Sequence, residues 1–328
     1  MTRSVASRFT VDRRTLLKAG AATSAAFALR SFPAPAGEAA RGHGLSYFGD
    51  LKYGPDFQHF DYANPDAPKG GRIVTQLWAW GYNQNPSTFN TLQIYVLQGD
   101  GAAGMPLTFA TLMAASTDES DSLYPYVARE VEAPADRSWI RFFLDERAVF
   151  HDGTPVTADD AAFSIDILKR EGHPNISTEL LEVSEIVVED ARTLLVRFAA
   201  GAPRSLALTV AGGVPLFSKA WWHGRDFKAA LNEAPLGSGL YRMRGYSSGR
   251  WIDFERVADH WATDLPVHRG RYNFDVVRYE YYRDRVAAFE AFKKGEMTVR
   301  QEFTSRIWAR DYNFPALTRG EVIKEEIP

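Results

Sequence analysis

Phe150-His151-Asp152-Gly153-Thr154-Pro155-Val156-Thr157-Ala158-Asp159-Asp160 packs a strand end, a turn and a helix start into one short stretch. Asp152-Gly153 is a tight-turn pair. Thr157 opens a helix, and Asp160 takes the third position of a capping box, where each side chain serves the other's backbone amide. Ala161, Ile165 and Leu168 then repeat at i, i+4 and i+7, the spacing of one apolar helix face. Upstream, residues 139–144 alternate, with Ile140, Phe142 and Leu144 on one side, which predicts a strand. Downstream, Gly172-His173-Pro174 stops the helix. Two more strands follow at 184–189 and 193–198, joined through Asp190-Ala191-Arg192. This mixture predicts an α/β subdomain.

Farther out, residues 41–71 are irregular and rich in Gly, Pro, Asp and aromatic rings, closing on Pro65-Asp66-Ala67-Pro68-Lys69-Gly70-Gly71. The spacing then predicts a strand over 72–80, followed by the polar and aromatic loop Gly81-Tyr82-Asn83-Gln84-Asn85-Pro86. After Pro235-Leu236-Gly237-Ser238-Gly239 comes an expected hairpin, 240–245 with 250–256, around Ser247-Ser248-Gly249. Residues 276–282 form a strand in the same scheme. Asp284 caps a helix that runs to Lys294, with Gly295 at its C-terminal end. Further strands are expected over 297–303 and 321–327, the second of which meets the last residue, Pro328.

The first residues carry a targeting pattern. Arg13-Arg14 precede an alanine-rich apolar run, and Ala34-Pro35-Ala36 offers the small residues of a signal peptidase site. Paired arginines point to twin-arginine export, with cleavage after Ala36 and a periplasmic destination. No stretch approaches the roughly 20 strongly apolar residues of a membrane span. Cysteine is absent, which removes disulfides, thiol chemistry, cysteine metal sites and a lipidated-cysteine anchor. The 38 basic and 41 acidic residues nearly balance, and no basic stripe suits nucleic acid. An aromatic content of 13% favours a binding surface built on flat rings, beside its ordinary use in cores.

No residues announce catalysis. None of the 7 histidines makes an H-E-x-x-H pair. His151 stands near Asp152, Asp159 and Asp160, a grouping that could tempt a metal, but those carboxylates have turn and helix-start duties to perform. Ser238 between Gly237 and Gly239 has no local base, and the glycines are expected to serve a bend with positive φ. No cofactor and no metal is expected.

The quoted stretch resembles the signature of the family 5 extracellular solute-binding proteins, the dipeptide and oligopeptide binders of ABC importers. Pro235-Leu236-Gly237-Ser238-Gly239-Leu240-Tyr241 and Ala258-Asp259-His260-Trp261 resemble two further hallmarks in matching order. Residues 60–71 and Val299-Arg300-Gln301-Glu302 are similar to the branch associated with murein-peptide and microcin C uptake; Thr298 stands where the family pattern places an aspartate. The resemblance implies a type II-like periplasmic binding protein, two α/β lobes about a hinge with the ligand engulfed between them. It implies a signal at 1–36, first-lobe segments at 37–90 and 201–303, an inserted α/β subdomain at 91–200, and the hinge and start of a second lobe at 304–328. Most of that second lobe would follow Pro328, so the chain is expected to be a truncated form. The implied partners are an oligopeptide ligand and the membrane permease of an ABC transporter, with no enzyme activity. An exported peptide or murein hydrolase and a fragment without retained activity are the competing expectations. Ligand contact is expected from Trp78, Trp80, Tyr82, Asn83 and Asn90, where the first strand would meet the cleft; Trp78 and Trp80 could equally pack across the sheet.

Overall fold

The computed structural model describes residues 39–77 and 81–326, all within one compact unit. Its first strands are β1 (Ala40–Gly42), β2 (Leu45–Ser46), β3 (Arg72–Thr75), β4 (Met113–Ala115), β5 (Ser122–Pro125) and β6 (Ala128–Ala133). There follow β7 (Trp139–Leu144), β8 (Val183–Asp190), β9 (Thr193–Phe198), β10 (Tyr241–Ser247), β11 (Trp251–Arg256) and β12 (Val276–Glu280).

An antiparallel sheet runs β1-β6-β7-β9-β8, and a small one runs β2-β5-β4. Strands β1 and β2, from the first ten described residues, thus pair with strands more than seventy residues away. Helix α1 (Ala158–Glu171) packs on β8 and β9 through Ala161, Ile165 and Leu168, all fully buried. The stripe read from the sequence is therefore its core face. The irregular segment before β3 is held by rings: Tyr53, Phe57 and Phe60 surround Tyr124, with centroids 5.3–5.6 Å from it.

The third sheet matters most for function. Its order is β10-β11-β12-β3, antiparallel until β12 meets β3 in parallel, with Val276 opposite Arg72 and Tyr279 opposite Thr75. After β12, Asp284 caps α2 (Arg285–Lys293) by accepting the Ala287 amide at 2.8 Å, and Gly295 follows with φ 77°. Ala288, Phe289 and Phe292 of this helix bury against Met297 and Phe314, with Val74 of β3 and Tyr282 packed alongside.

Four local expectations are corrected. Strand β3 stops at Thr75, and Trp78 and Trp80 lie outside the described residues. Residues 297–303 run beside β3 without forming a strand. The Thr298 and Val299 amides both donate to the Val74 carbonyl (2.8 and 3.2 Å), while the Val74 amide donates to the Thr298 hydroxyl at 3.1 Å. A side chain has taken the place of a ladder carbonyl. Residues 321–326 form no strand either, because the Glu321 and Val322 amides turn back to the Ala316 carbonyl at the end of the helix Pro315–Thr318. Finally, Gly237 and Gly239 have no positive φ. They are small for another reason, described next.

Candidate functional site

The three sequence hallmarks converge on one backbone clamp. The Ser238 and Gly239 amides both donate to the Thr108 carbonyl at 2.9 Å. A Cβ on Gly237 would stand 2.1 Å from that oxygen, and one on Gly239 2.5 Å from the Leu107 carbonyl. Close approach of two backbones, not a left-handed turn, therefore demands glycine here. The His151 amide donates to the Gly237 carbonyl at 2.8 Å, and its Nε2 lies 2.8 Å from the Gly239 carbonyl. His260 places its Nε2 3.0 Å from the Ser238 carbonyl. Both imidazoles thus act as donors to the clamp, and burial lowers the pKa of each. The Ser238 hydroxyl is fully buried and accepts the Ala110 amide at 3.1 Å. These groups hold the fold and are spent on doing so.

The candidate binding site lies elsewhere, at the carboxyl ends of the parallel pair β3 and β12, where open α/β sheets present their ligand crevice. A cavity of about 300 Å³ opens there between Gln76 and Leu77 after β3, Tyr282 to Arg285 after β12, and Arg300 to Phe303 beyond α2, with Pro86 and Ser87 at its side. A second cavity of about 740 Å³ shares Arg300 to Phe303 and extends past Val299, Ser305 and Trp308 to Glu325 and Glu326. The lining combines rings, amides and charges of both signs. Phe303 is 52% exposed, with the Arg285 guanidinium 5.8 Å above its ring. Burial pushes the Tyr282 phenol up to about 12, so it is a neutral donor at physiological pH. The Asp284 carboxylate is held below its ordinary range by the Ala287 amide at the helix start and by Arg283. Burial alone would raise the Glu302 carboxyl, but the Thr304 amide and the Arg300 guanidinium prevail and keep it low. Such a surface can grip a flexible, amide-rich solute through apolar area and adaptable hydrogen bonds.

Comparison with known proteins places this architecture. The family described as bacterial extracellular solute-binding proteins, family 5 Middle, matches residues 122–326. The chain belongs to this family. It is 36% identical to YejA of Escherichia coli K12 over 299 residues, which cover 91% of this chain and 48% of YejA. It is 35% identical over 318 residues to the peptidoglycan-binding protein YepA of Agrobacterium fabrum, covering 92% of this chain and 50% of YepA. The oligopeptide-binding protein AppA of Bacillus subtilis, solved with a nonapeptide, superposes with a TM-score of 0.60 at 16% identity, over 76% of this chain and 47% of AppA. That likeness establishes the type II periplasmic-binding-protein fold. The chain spans about half the length of the curated relatives it matches.

Within this family 5 fold, the residues expected to meet ligand are distributed unevenly. Tyr82 is half-buried, its ring 5.0 Å from Tyr95 and 5.8 Å from His173, packed on the main core. The Asn83 amide donates to the Gln93 and Gln98 carbonyls at 3.1 and 2.7 Å, and the Asn90 side chain accepts the Asp100 amide at 2.8 Å. Both asparagines tie down the loop between 83 and 101, and none of these three residues lines the two cavities. Arg13, Arg14, Ala34 and Ala36, like Trp78 and Trp80, lie outside the described residues. Sequence reasoning missed Gln76, Leu77, Arg283, Arg285 and Phe303. The strand–helix–strand order expected over 276–303 hinted at a parallel pair, but its second strand does not form, and the parallel neighbour of β12 is β3, about two hundred residues earlier in the chain.

Proposed function

We propose that this chain is the first-lobe portion of a periplasmic peptide-binding protein that hands oligopeptides to the permease of an ABC importer. The observation that carries the proposal is the crevice at the carboxyl ends of β3 and β12, whose mixed lining of rings, amides and charges suits peptides of varied sequence. The names of its relatives, one peptidoglycan-binding and one crystallised with a nonapeptide, favour peptides and murein peptides as cargo. In this scheme Arg13 and Arg14 address the precursor to the twin-arginine route and cleavage follows Ala36 in Ala34-Pro35-Ala36. The protein acts by binding and release; the commitment of Ser238, His151 and His260 to the backbone clamp supports that.

Saturation-transfer NMR, which registers even millimolar binding, tests the proposal. A mixed oligopeptide pool should receive saturation from the purified chain, while pools of monosaccharides and free amino acids should not. Transfer to the sugars or amino acids but not to the peptides would assign the crevice another cargo.

A further inference from the structure

Arg300 is the least satisfied cation beside the crevice. Its side chain is 1% exposed, and that of its neighbour Glu302 is 2% exposed. A guanidinium offers five N–H donors in a rigid fork. Here Nη2 donates to Glu302 Oε2 at 3.0 Å, while Nε and Nη1 make no hydrogen bond of normal geometry among the described residues; the Tyr312 hydroxyl near the guanidinium is likewise buried and unpaired. The other Glu302 oxygen is turned away from Arg300: Oε1 accepts the Thr304 amide at 2.8 Å. The Phe289 ring, 5.3 Å from the guanidinium carbon, supports its face and not its edges. Buried donors are nearly always paired, and a buried guanidinium with two idle nitrogens is an exception that asks for an occupant. Arg300 also stands in the wall common to both cavities.

We propose that Arg300 receives a carboxylate of the bound solute, an inference that rests on the peptide-binding function proposed above. A planar carboxylate is the partner that a guanidinium edge fits in bidentate fashion. The guanidinium is stripped of water before the ligand arrives, so the incoming anion meets a preformed receptor. The Arg300 side chain is 1% exposed, so ligand reaches it only after side chains of the shared wall rotate; such rotamer changes are common on binding. The carboxylate is either the peptide's C-terminus or an acidic side chain.

Three tripeptide libraries separate these cases when titrated into the whole chain: free acids lacking Asp and Glu, the same sequences as C-terminal amides, and amides carrying one Glu. The free acids should bind about tenfold more tightly than the plain amides, the scale of a charge-assisted pair. Tighter binding of the Glu amides than of the plain amides would assign the site to side-chain carboxylates as well. In Arg300→Met the preference for acids should shrink to within about twofold, and Arg300→Lys, charged but without the fork, should fall between. Equal binding of acids and amides by the unmodified chain overturns the carboxylate site and leaves peptide binding intact; this comparison decides even if the variants fail to fold. If no library binds, peptide binding itself falls. Succinate then judges the site alone: binding that disappears in Arg300→Met upholds it, and no binding overturns it.

Discussion

Replacing Asp160 by alanine strikes the point where the first quoted motif is tied to the rest of the fold. The carboxylate is 7% exposed. Its Oδ2 accepts the Thr157 amide at 2.9 Å and the Thr157 hydroxyl at 2.7 Å, completing the capping box of α1. Its Oδ1 accepts the Lys219 amide at 2.9 Å, reaching a segment about sixty residues away in sequence. Alanine loses all three. Loss of the cap costs about 1–2 kcal/mol, and the abandoned Lys219 amide adds about 1 kcal/mol. The sum of about 2–3 kcal/mol should lower the melting temperature by about 4–10 °C for a domain of this size. Asp160→Asn should recover no more than half, since its amide presents N–H groups to one of the two sets of donors. Asp159→Ala is the control. That neighbour is 55% exposed and holds only the Lys219 ammonium, at 2.8 Å, so it should cost less than about 0.5 kcal/mol. Thermal and urea unfolding followed by circular dichroism read the difference. Asp160→Ala melting together with Asp159→Ala would refute the assignment of Asp160 as a tie between α1 and the Lys219 segment.

Three further expectations concern acid, close packing and export. Burial pushes the His268 imidazole down to about 3, only partly offset by the Ala262 carbonyl, while the unfolded chain binds its proton near 6.5. The unfolded state thus holds more protons across that window, and stability present above pH 6.5 drains away as pH falls, by about 1.4 kcal/mol per unit per proton. His151 and His260 are shifted the same way. Urea midpoints should therefore fall from pH 7 to pH 5, and His268→Gln should flatten the slope; an unchanged slope in that variant counts against the buried neutral ring. Gly237→Ala should cost about 3 kcal/mol or more, because its Cβ would meet the Thr108 carbonyl at 2.1 Å. Gly245→Ala, with nothing within 4 Å, should be nearly silent, and equal melting of the two would dismiss the close approach. Changing Arg13 and Arg14 to lysine should strand the precursor in the cytoplasm on fractionation, and normal periplasmic yield would exclude the twin-arginine route.

What could be read in the sequence was what depends on neighbours along the chain. The Thr157–Asp160 cap, the alternation of Trp139–Leu144 and the Asp284 start of α2 all obey rules that span a few residues, and each stands in the structure. The reason for Gly237 was hidden because its cause, the Thr108 carbonyl, arrives from more than a hundred residues away. The strand expected over 297–303 failed for a subtler cause: Thr298 alternates correctly, but its hydroxyl captures the Val74 amide that a ladder would need. The candidate crevice suffered most. Arg283, Arg285 and Arg300 share no spacing pattern, and only the parallel pairing of β12 with β3 brings their segments to one edge.

The backbone clamp has a consequence for how such chains are classified and engineered. Its contacts run almost wholly through main-chain carbonyls and amides, with two imidazoles as braces. A match to those three motifs therefore certifies the chassis and is silent about the freight. Two proteins could share every residue of the clamp and carry unrelated solutes, because none of the clamp's hydrogen-bonding groups lines either cavity at the strand ends. Under the proposed function, cargo preference should be sought, and redesigned, in the segments 76–77, 282–285 and 299–303, which contribute no residue to the clamp.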